Sequence, residues 1–371
     1  MELEQAKDAV MEASGQLVAL GLVARTWGNV SCRVGESHFL ITPSGRPYES
    51  LTKEQLVLVS LEDLSYPKGV KPSSEKKLHR EVYKLKGDVG CVIHTHQEMA
   101  SLAGLLGKDI PVSKQGKPLL AETIAMARYG LPGTKTLVKN AAKAIIRNNA
   151  TTVLLANHGS LCFGRDALET LEIAKRLEVE CRTHLAKLLP LLGEERDLKV
   201  RTLPVVLSRL EEEPEHTEEL HQGQELTPNR ARKIACSLAT GEGVQRSVLF
   251  LSSPAVLAAG KMLTSLPSYL DDFAQIAGAV VPVATLEICH TRFKAIGKRC
   301  NALLIRDEGA LCWANTRSDA EAVALILEKN CKAALLAQED AIVKPIGWLD
   351  ARLMRFVYQK KYSKIAQGEE A

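Results

Sequence analysis

The chain has 371 residues, of which 46% are hydrophobic and 25% charged, and a formal net charge of +4. That length favours two domains over one, the composition is ordinary for a soluble globular protein, and no apolar stretch approaches the length of a membrane span. So small a positive charge, with no basic run interleaved with aromatics, argues against nucleic acid as a partner. The start, Met1-Glu-Leu-Glu-Gln, is acidic and opens a helix rather than a signal peptide. Nine scattered cysteines without a Cys-x-x-Cys pair point to reduced thiols and a cytoplasmic protein, with Cys91 and Cys162 in apolar strands as core residues.

In chain order, residues 2–23 predict an amphipathic helix, with Ala9, Val10, Leu17, Val18 and Leu20 as candidate core positions. Thr26-Trp-Gly-Asn29 is a turn, and residues 30–33 and 39–41 read as strands. Thr42-Pro-Ser-Gly45 is a second turn before a strand at 56–59. Pro72-Ser-Ser-Glu75 opens a helix that ends near Gly87, with Leu78, Val82 and Leu85 as its buried stripe. Glu75 and His79, four apart, share another face of it, where His79 suits a surface or supporting role better than a ligand's. Cys91-Val-Ile93 is a short buried strand, followed by His94-Thr-His96 and a helix over 97–106. Residues 108–132 carry no clear period. A helix over 134–147, a strand at 152–156, the turn Asn157-His158-Gly159, a strand at 160–163 and a long helix capped by Asp166 complete the first half. Strands that pair locally around turns, then alternate with helices, favour an α/β sandwich. No glycine-rich dinucleotide or phosphate-loop fingerprint is present.

Residues two apart on an extended chain point the same way, so His94 and His96 can take two positions on one metal ion. They could equally be polar residues at a strand end. An internal repeat separates these readings. Val92-Ile93 matches Val248-Leu249 at an offset of 156, and Gly159, Leu161, Cys162, Ala174, Leu177, Glu178 and Cys181 match Gly309, Leu311, Cys312, Ala324, Leu327, Glu328 and Cys331 at 150. In these registers His94 falls on Phe250, His96 on Ser252, His158 on Glu308 and Glu75 on Ala231. Packing residues persist while three histidines and a carboxylate vanish together, as expected of a metal site lost as a set. Between the halves, residues 211–225 carry seven acids and no Lys or Arg, which reads as a solvated linker.

Five ordered motifs, Thr26-Trp-Gly-Asn29, Thr42-Pro-Ser-Gly45 with Pro47-Tyr-Glu49, Pro72-Ser-Ser-Glu75, His94-Thr-His96 and His158-Gly159, resemble the class II aldolase/adducin family, in its fuculose-1-phosphate aldolase branch, over about residues 5–190. The resemblance implies a three-layer α/β sandwich, here duplicated in tandem. The expected parts are a catalytic domain over 1–200, an acidic linker over 201–227 and a degenerate copy lacking metal ligands over 228–371. It implies one Zn²⁺ per chain on His94, His96 and His158. Glu75 is then the acid/base, and also a ligand when substrate is absent. It implies a phosphate pocket from Gly28, Asn29, Ser44, Gly45, Ser73 and Ser74, in which glycines admit backbone N–H groups and serines sit at a helix N-terminus. Read without the family, those serines are also suited to capping a helix and those glycines to turning the chain.

The implied function is zinc-dependent cleavage of a small ketose phosphate through an enediolate. Epimerisation or dehydration on the same site is an alternative, and an adducin-like assembly protein is one of another class. Epimerases of this type usually carry Asp at the position of Glu75, whereas the dehydratases keep Glu. The family's aldolases also carry a tyrosine soon after the position of Pro111, where this chain has Val112-Ser-Lys-Gln-Gly-Lys117, and the tail tyrosines Tyr358 and Tyr362 follow the second copy. A homodimer, in which the second domain walls the active site of the first, is expected over a ring of four chains.

Overall fold

A computed structural model describes residues 1–23, 26–193, 247–285, 296–297 and 299–365. The acidic linker, Ala231, His216, His221 and His290 lie outside the described residues. The described chain falls into two compact units, one holding residues 1–193 with 339–344 and 360–365, the other 247–338 with 345–359.

The first unit is built on an eight-stranded sheet. Its strands are β1 (Asn29–Val34), β2 (His38–Ile41), β3 (Val57–Ser60), β4 (Cys91–Thr95), β5 (Ile110–Pro111), β6 (Thr123–Ala127), β7 (Thr152–Leu155) and β8 (Gly159–Gly164), in the order β3-β2-β1-β4-β8-β7-β6-β5. All neighbours are antiparallel except β6 and β7. Helices α2 (Lys76–Leu85) and α5 (Lys135–Asn148) pack together and share a core with one face of the sheet through Leu78, Val82, Leu137, Ala141 and Ile145 against Phe39, Ile41, Val92, Val153 and Phe163. Helices α1 (Leu3–Ala19), α3 (Glu98–Ala103) and α6 (Ala167–Leu185) pack on one another and on the strands, completing a three-layer sandwich with the short α4 (Lys117–Leu120). The Asp166 carboxylate caps α6 by accepting from the Glu169 N–H at 2.8 Å.

Most predicted elements fall within a few residues of those observed. The first helix stops at Ala19 rather than Val23, and the helix after His96 tightens to a 3-10 turn at Gly104–Leu106. The main correction concerns residues 108–132, which contain β5, α4 and β6. Strand β6, Thr-Ile-Ala-Met-Ala, is buried from Ile124 to Ala127. A strand covered on both faces needs no polar alternation, and its alanines carry little strand preference. Strand β4 also runs two residues past its predicted end, so His94 and Thr95 belong to the ladder, opposite Leu161 and Ser160.

The second unit carries β9 (Ser247–Leu251), β10 (Ser265–Pro267), β11 (Val280–Ala284), β12 (Ala302–Ile305) and β13 (Gly309–Ala314) in the order β10-β11-β12-β13-β9. Its pairings are antiparallel, parallel, antiparallel and antiparallel. Strands β5-β6-β7-β8-β4 have the same order and directions. Helices α7 (Pro254–Met262), α8 (Asp271–Ile276), α9 (Arg317–Glu339) and α10 (Trp348–Ile365) accompany this sheet, α7 and α9 standing where the repeat registers place α3 and α6.

The correspondence reaches single residues. The β7–β8 hairpin turns on Asn157 at φ +60°, and β12–β13 on Asp307 at φ +62°. Both residue types tolerate the left-handed region. The next N–H, of His158 or Glu308, donates to Leu155 or Ile305 at 3.1 Å in each case. A Cβ on Gly159 would lie 2.3 Å from the Thr95 carbonyl oxygen, and one on Gly309 would lie 2.5 Å from that of Leu251.

Candidate metal centre

His94 is the fourth residue of β4 and projects to the same side as Val92, the α2 side, because alternate strand residues share a face. His96 follows one residue beyond the strand end. The chain is anchored there because Glu178 of α6 accepts the N–H groups of Met99 at 2.8 Å and Ala100 at 3.1 Å, donors that the first turn of α3 leaves free. His158 stands on the β7–β8 hairpin, one residue before Gly159. Glu75 occupies the N-cap position of α2, and its carboxylate makes no capping bond to the helix. Three segments far apart in sequence, the start of α2, the end of β4 and the β7–β8 hairpin, thus meet at one end of the sheet.

Their ligand atoms all lie within 4.8 Å of one another, the one such His/Cys/Asp/Glu group among the described residues. His94 Nε2 is 3.1 Å from His96 Nε2 and 3.0 Å from Glu75 Oε2, and His158 Nε2 is 2.9 Å from Glu75 Oε1. His94 Nδ1 lies 2.8 Å from the Ser160 carbonyl oxygen, which can only accept. Nδ1 therefore carries a hydrogen, and Nε2 is the ring atom turned toward a carboxylate and a second imidazole. Acceptors packed this closely need a shared cation or a shared proton. Around a tetrahedral ion with metal–nitrogen bonds of about 2.0–2.1 Å, donor atoms stand about 3.3 Å apart. The donor set and its spacing fit a divalent ion held by three histidines and one carboxylate.

The electrostatics agree. Burial by itself would raise the Glu75 carboxyl, but the adjacent His94 and His158 imidazoles hold it well below the usual carboxylate range. Glu75 is 9% exposed and His94 fully buried, so water screens their interaction little.

A model of the class II aldolase and adducin N-terminal domain matches residues 8–185. The chain is 34% identical to a 5-methylthioribulose-1-phosphate/5-deoxyribulose-1-phosphate aldolase of Rhodospirillum rubrum over 176 residues, 47% of this chain and 76% of that protein. It belongs to the class II aldolase and adducin family. Other similar family members include an L-fuculose phosphate aldolase of Escherichia coli K12, 29% identical over 53% of this chain and 92% of that one. A methylthioribulose-1-phosphate dehydratase of Serratia proteamaculans is 29% identical over 50% of this chain and all of that one.

The three turns singled out in this class II aldolase-type chain for phosphate are brought together beside the histidines. Asn29 pairs with His94 across β1 and β4, the Thr42 N–H donates to the Val30 carbonyl at 3.1 Å, and an isolated bridge joins Pro43 to Pro72. Across that bridge the Ser44 N–H donates to the Lys71 carbonyl at 2.9 Å and the Ser73 N–H to the Thr42 carbonyl at 3.1 Å, so the two turns are tied together. Gly28 has a second reason to be glycine: its φ is +110°, and a Cβ would meet the His94 carbonyl oxygen at 2.7 Å. Ser73 is buried, and its Oγ accepts the Glu75 N–H at 3.2 Å, a capping contact. The Asn29 side chain turns to Glu75, donating from Nδ2 to Oε2 at 3.2 Å.

Residues 112–117, where the family resemblance implies a tyrosine that this chain lacks, are tied down otherwise. The Ser113 hydroxyl donates to Glu180 at 2.6 Å and accepts from Arg176 at 3.0 Å, and Gly116 packs against the same glutamate. Cys91 and Cys162 are buried in their strands, and burial pushes the Cys162 thiol up to about 12, so neither is poised as a nucleophile. All seven cysteines among the described residues are buried and free. No helix among the described residues is long and apolar enough to cross a membrane. Sequence reading left His79 between a surface and a supporting role and assigned Asn29 only to the phosphate pocket, so neither was placed behind Glu75. The signal available was polar residues on alternate strand positions facing residues spaced by four on a helix.

Proposed function

We propose that this protein is a metal-dependent lyase that cleaves a carbon–carbon bond in a small ketose phosphate, with Zn²⁺ as the ion and Glu75 as the acid/base. The observation that carries the reading is the buried Glu75 carboxylate, 2.9 Å and 3.0 Å from two of three converging imidazoles. His94, His96 and His158 would hold the ion, which when bound supplies a Lewis acid for a substrate carbonyl. Cleavage next to a carbonyl leaves a carbon that must take up a proton, and Glu75 delivers it; in the condensing direction Glu75 removes it. The turns at Gly28-Asn29, Ser44-Gly45 and Ser73-Ser74 would bind the phosphate, fixing the distance from the charged end to Glu75. The named activities of the Rhodospirillum and Escherichia relatives support a ketose phosphate as substrate.

Dehydration is the second reading. It is favoured by one observation: Val112–Lys117 offers no tyrosine to exchange the proton of a departing aldehyde. The test is a screen of the zinc-loaded protein against ketose 1-phosphates. Cleavage releases dihydroxyacetone phosphate, read by a coupled reductase assay, and dehydration releases none. No product from any ketose phosphate would sink both readings.

The second unit is read as a degenerate copy of the first. Supporting this are the repeated strand order and the hairpin that presents Glu308 where the first presents His158. Two chains of 40.5 kDa would then give a homodimer near 81 kDa, against a tetramer near 162 kDa, and sedimentation distinguishes the two.

A further inference from the structure

Beside the metal centre, a strand and a helix run in step. On β1, Asn29, Ser31 and Arg33 alternate toward α2, whose end and inner face present Glu75, His79 and Tyr83. Two strand residues advance about 6.6 Å and four helix residues about 6.0 Å, so each side chain meets a partner at its own level. The contacts follow that match. Asn29 Nδ2 is 3.2 Å from Glu75 Oε2, and Asn29 Oδ1 makes a close hydrogen bond with His79 Nε2. Ser31 Oγ is 2.7 Å from His79 Nδ1 and 2.8 Å from the Tyr83 hydroxyl. Arg33 closes the row by donating to the Tyr83 carbonyl at 2.7 Å, its guanidinium 4.8 Å over the Tyr83 ring. Asn29, Ser31, His79 and Tyr83 are each at most 4% exposed.

The carboxylate end gives this row one direction. An ionised carboxylate only accepts, so Asn29 must present its NH₂ to Glu75 and its carbonyl oxygen to His79. His79 then donates from Nε2, and its Nδ1 must accept. Ser31 donates to Nδ1 and accepts from Tyr83. A flipped Asn29 would set its oxygen against the Glu75 carboxylate, and the other His79 tautomer would set two acceptors against each other. His79 stays neutral, as this polarity needs: burial, helped by the proximity of His94, lowers its pKa to about 3.

We propose that Tyr83, Ser31, His79 and Asn29 form a one-way hydrogen-bond relay that orients the Glu75 carboxylate at the metal centre, with His79 as its central positioning residue. The proposal rests on the reading of Glu75 and the three histidines as a metal site, and it adds a supporting row of which the motifs name only Asn29. Partners behind a metal ligand fix its orientation and typically set affinity by about 10–100-fold. The relay acts through Glu75 alone, so its effect must disappear when Glu75 cannot be held as a carboxylate.

The test measures Zn²⁺ affinity of the full chain by competition with a chromophoric chelator, with thermal melts to confirm folding. His79→Leu should weaken Zn²⁺ binding by about 10–100-fold. His79→Gln, whose amide N–H can replace the Nε2 donor, should recover most of the loss. In a Glu75→Gln background, His79→Leu should add no further loss. If His79→Leu does not fold, Ser31→Ala carries the same cycle with a smaller truncation: weaker binding beside Glu75, no change beside Gln. Wild-type affinity in His79→Leu, an equal loss in both backgrounds, or no recovery with Gln would overturn the relay. Absence of Zn²⁺ binding by the wild type would instead overturn the metal-site reading beneath it.

Discussion

Gly159→Ala probes how closely the sheet and the metal centre share their atoms. A Cβ at this position would lie 2.3 Å from the Thr95 carbonyl oxygen, 3.2 Å from the Thr95 carbonyl carbon and 3.3 Å from the His96 Cα. Ordinary contact begins near 3.4 Å, so the two strands must part by about 1 Å where they carry His94 and His96 on one side and His158 on the other. Overpacking of this kind costs about 1–3 kcal/mol. At about 2–4 °C per kcal/mol for a unit of this size, the melting temperature should fall by about 2–12 °C. A displacement of about 1 Å between catalytic groups costs about 100-fold in rate, so turnover should fall by that order and Zn²⁺ should bind more weakly. Gly309→Ala is the control. Its Cβ would meet the Leu251 carbonyl oxygen at 2.5 Å and the Phe250 ring at 2.8 Å, at a backbone φ of +144°, so it should destabilise at least as much. It should leave zinc affinity and turnover of the native state unchanged, because no histidine lines that hairpin. Calorimetry, chelator competition and a coupled assay on the two variants read all three quantities. Unchanged zinc affinity and turnover in Gly159→Ala, or equal losses in Gly309→Ala, would refute the reasoning.

Glu75→Gln should lower kcat by about 10²–10⁴-fold while three histidines still retain metal, and unchanged turnover would show that another group moves the proton. His94→Ala with His96→Ala should abolish stoichiometric zinc, about one ion per chain in the wild type; metal analysis finding two ions, or none lost, would contradict the site. Ser73→Ala should raise KM more for a phosphorylated substrate than for its unphosphorylated analogue, and equal effects would leave Ser73 only its cap on the Glu75 N–H. His79 makes stability depend on pH. Its folded pKa of about 3 lies below the ordinary 6.5, so the unfolded chain takes up the proton first. Its contribution is present above 6.5, is lost as pH falls toward 3, and by pH 5 is already reduced by about 2 kcal/mol. Urea unfolding at pH 7 and pH 5 should show that part of the slope vanish in His79→Gln.

The candidate metal cluster was legible because the chain holds its own comparison. His94 against Phe250, and His158 against Glu308, show what the scaffold keeps and what the chemistry adds. The central strands and long helices were legible from their apolar periods and caps, as at Asp166. Strand β6 was not, because burial on both faces removes alternation, and Ala125 and Ala127 give no strand preference to replace it. The row behind Glu75 was hidden for another reason. His79 and Tyr83 can be placed on the face of Glu75 by their spacing of four, but their partners come from a strand some fifty residues earlier. Only the pairing of β1 with β4, beneath α2, shows that Asn29 and Ser31 stand opposite them.

The paired hairpins at Asn157 and Asp307 fix the turn with the residue before the tip and the glycine after it, leaving the tip residue outside both requirements. This predicts an uneven mutational tolerance. Selected only for folding, a library over 157–159 and 307–309 should conserve the first and third positions of each hairpin and let the middle one vary. Selected for turnover, the middle position should freeze in the first hairpin and stay free in the second. A chain built this way can lose a ligand at one tip, and acquire another side chain there, without passing through an unfolded ancestor.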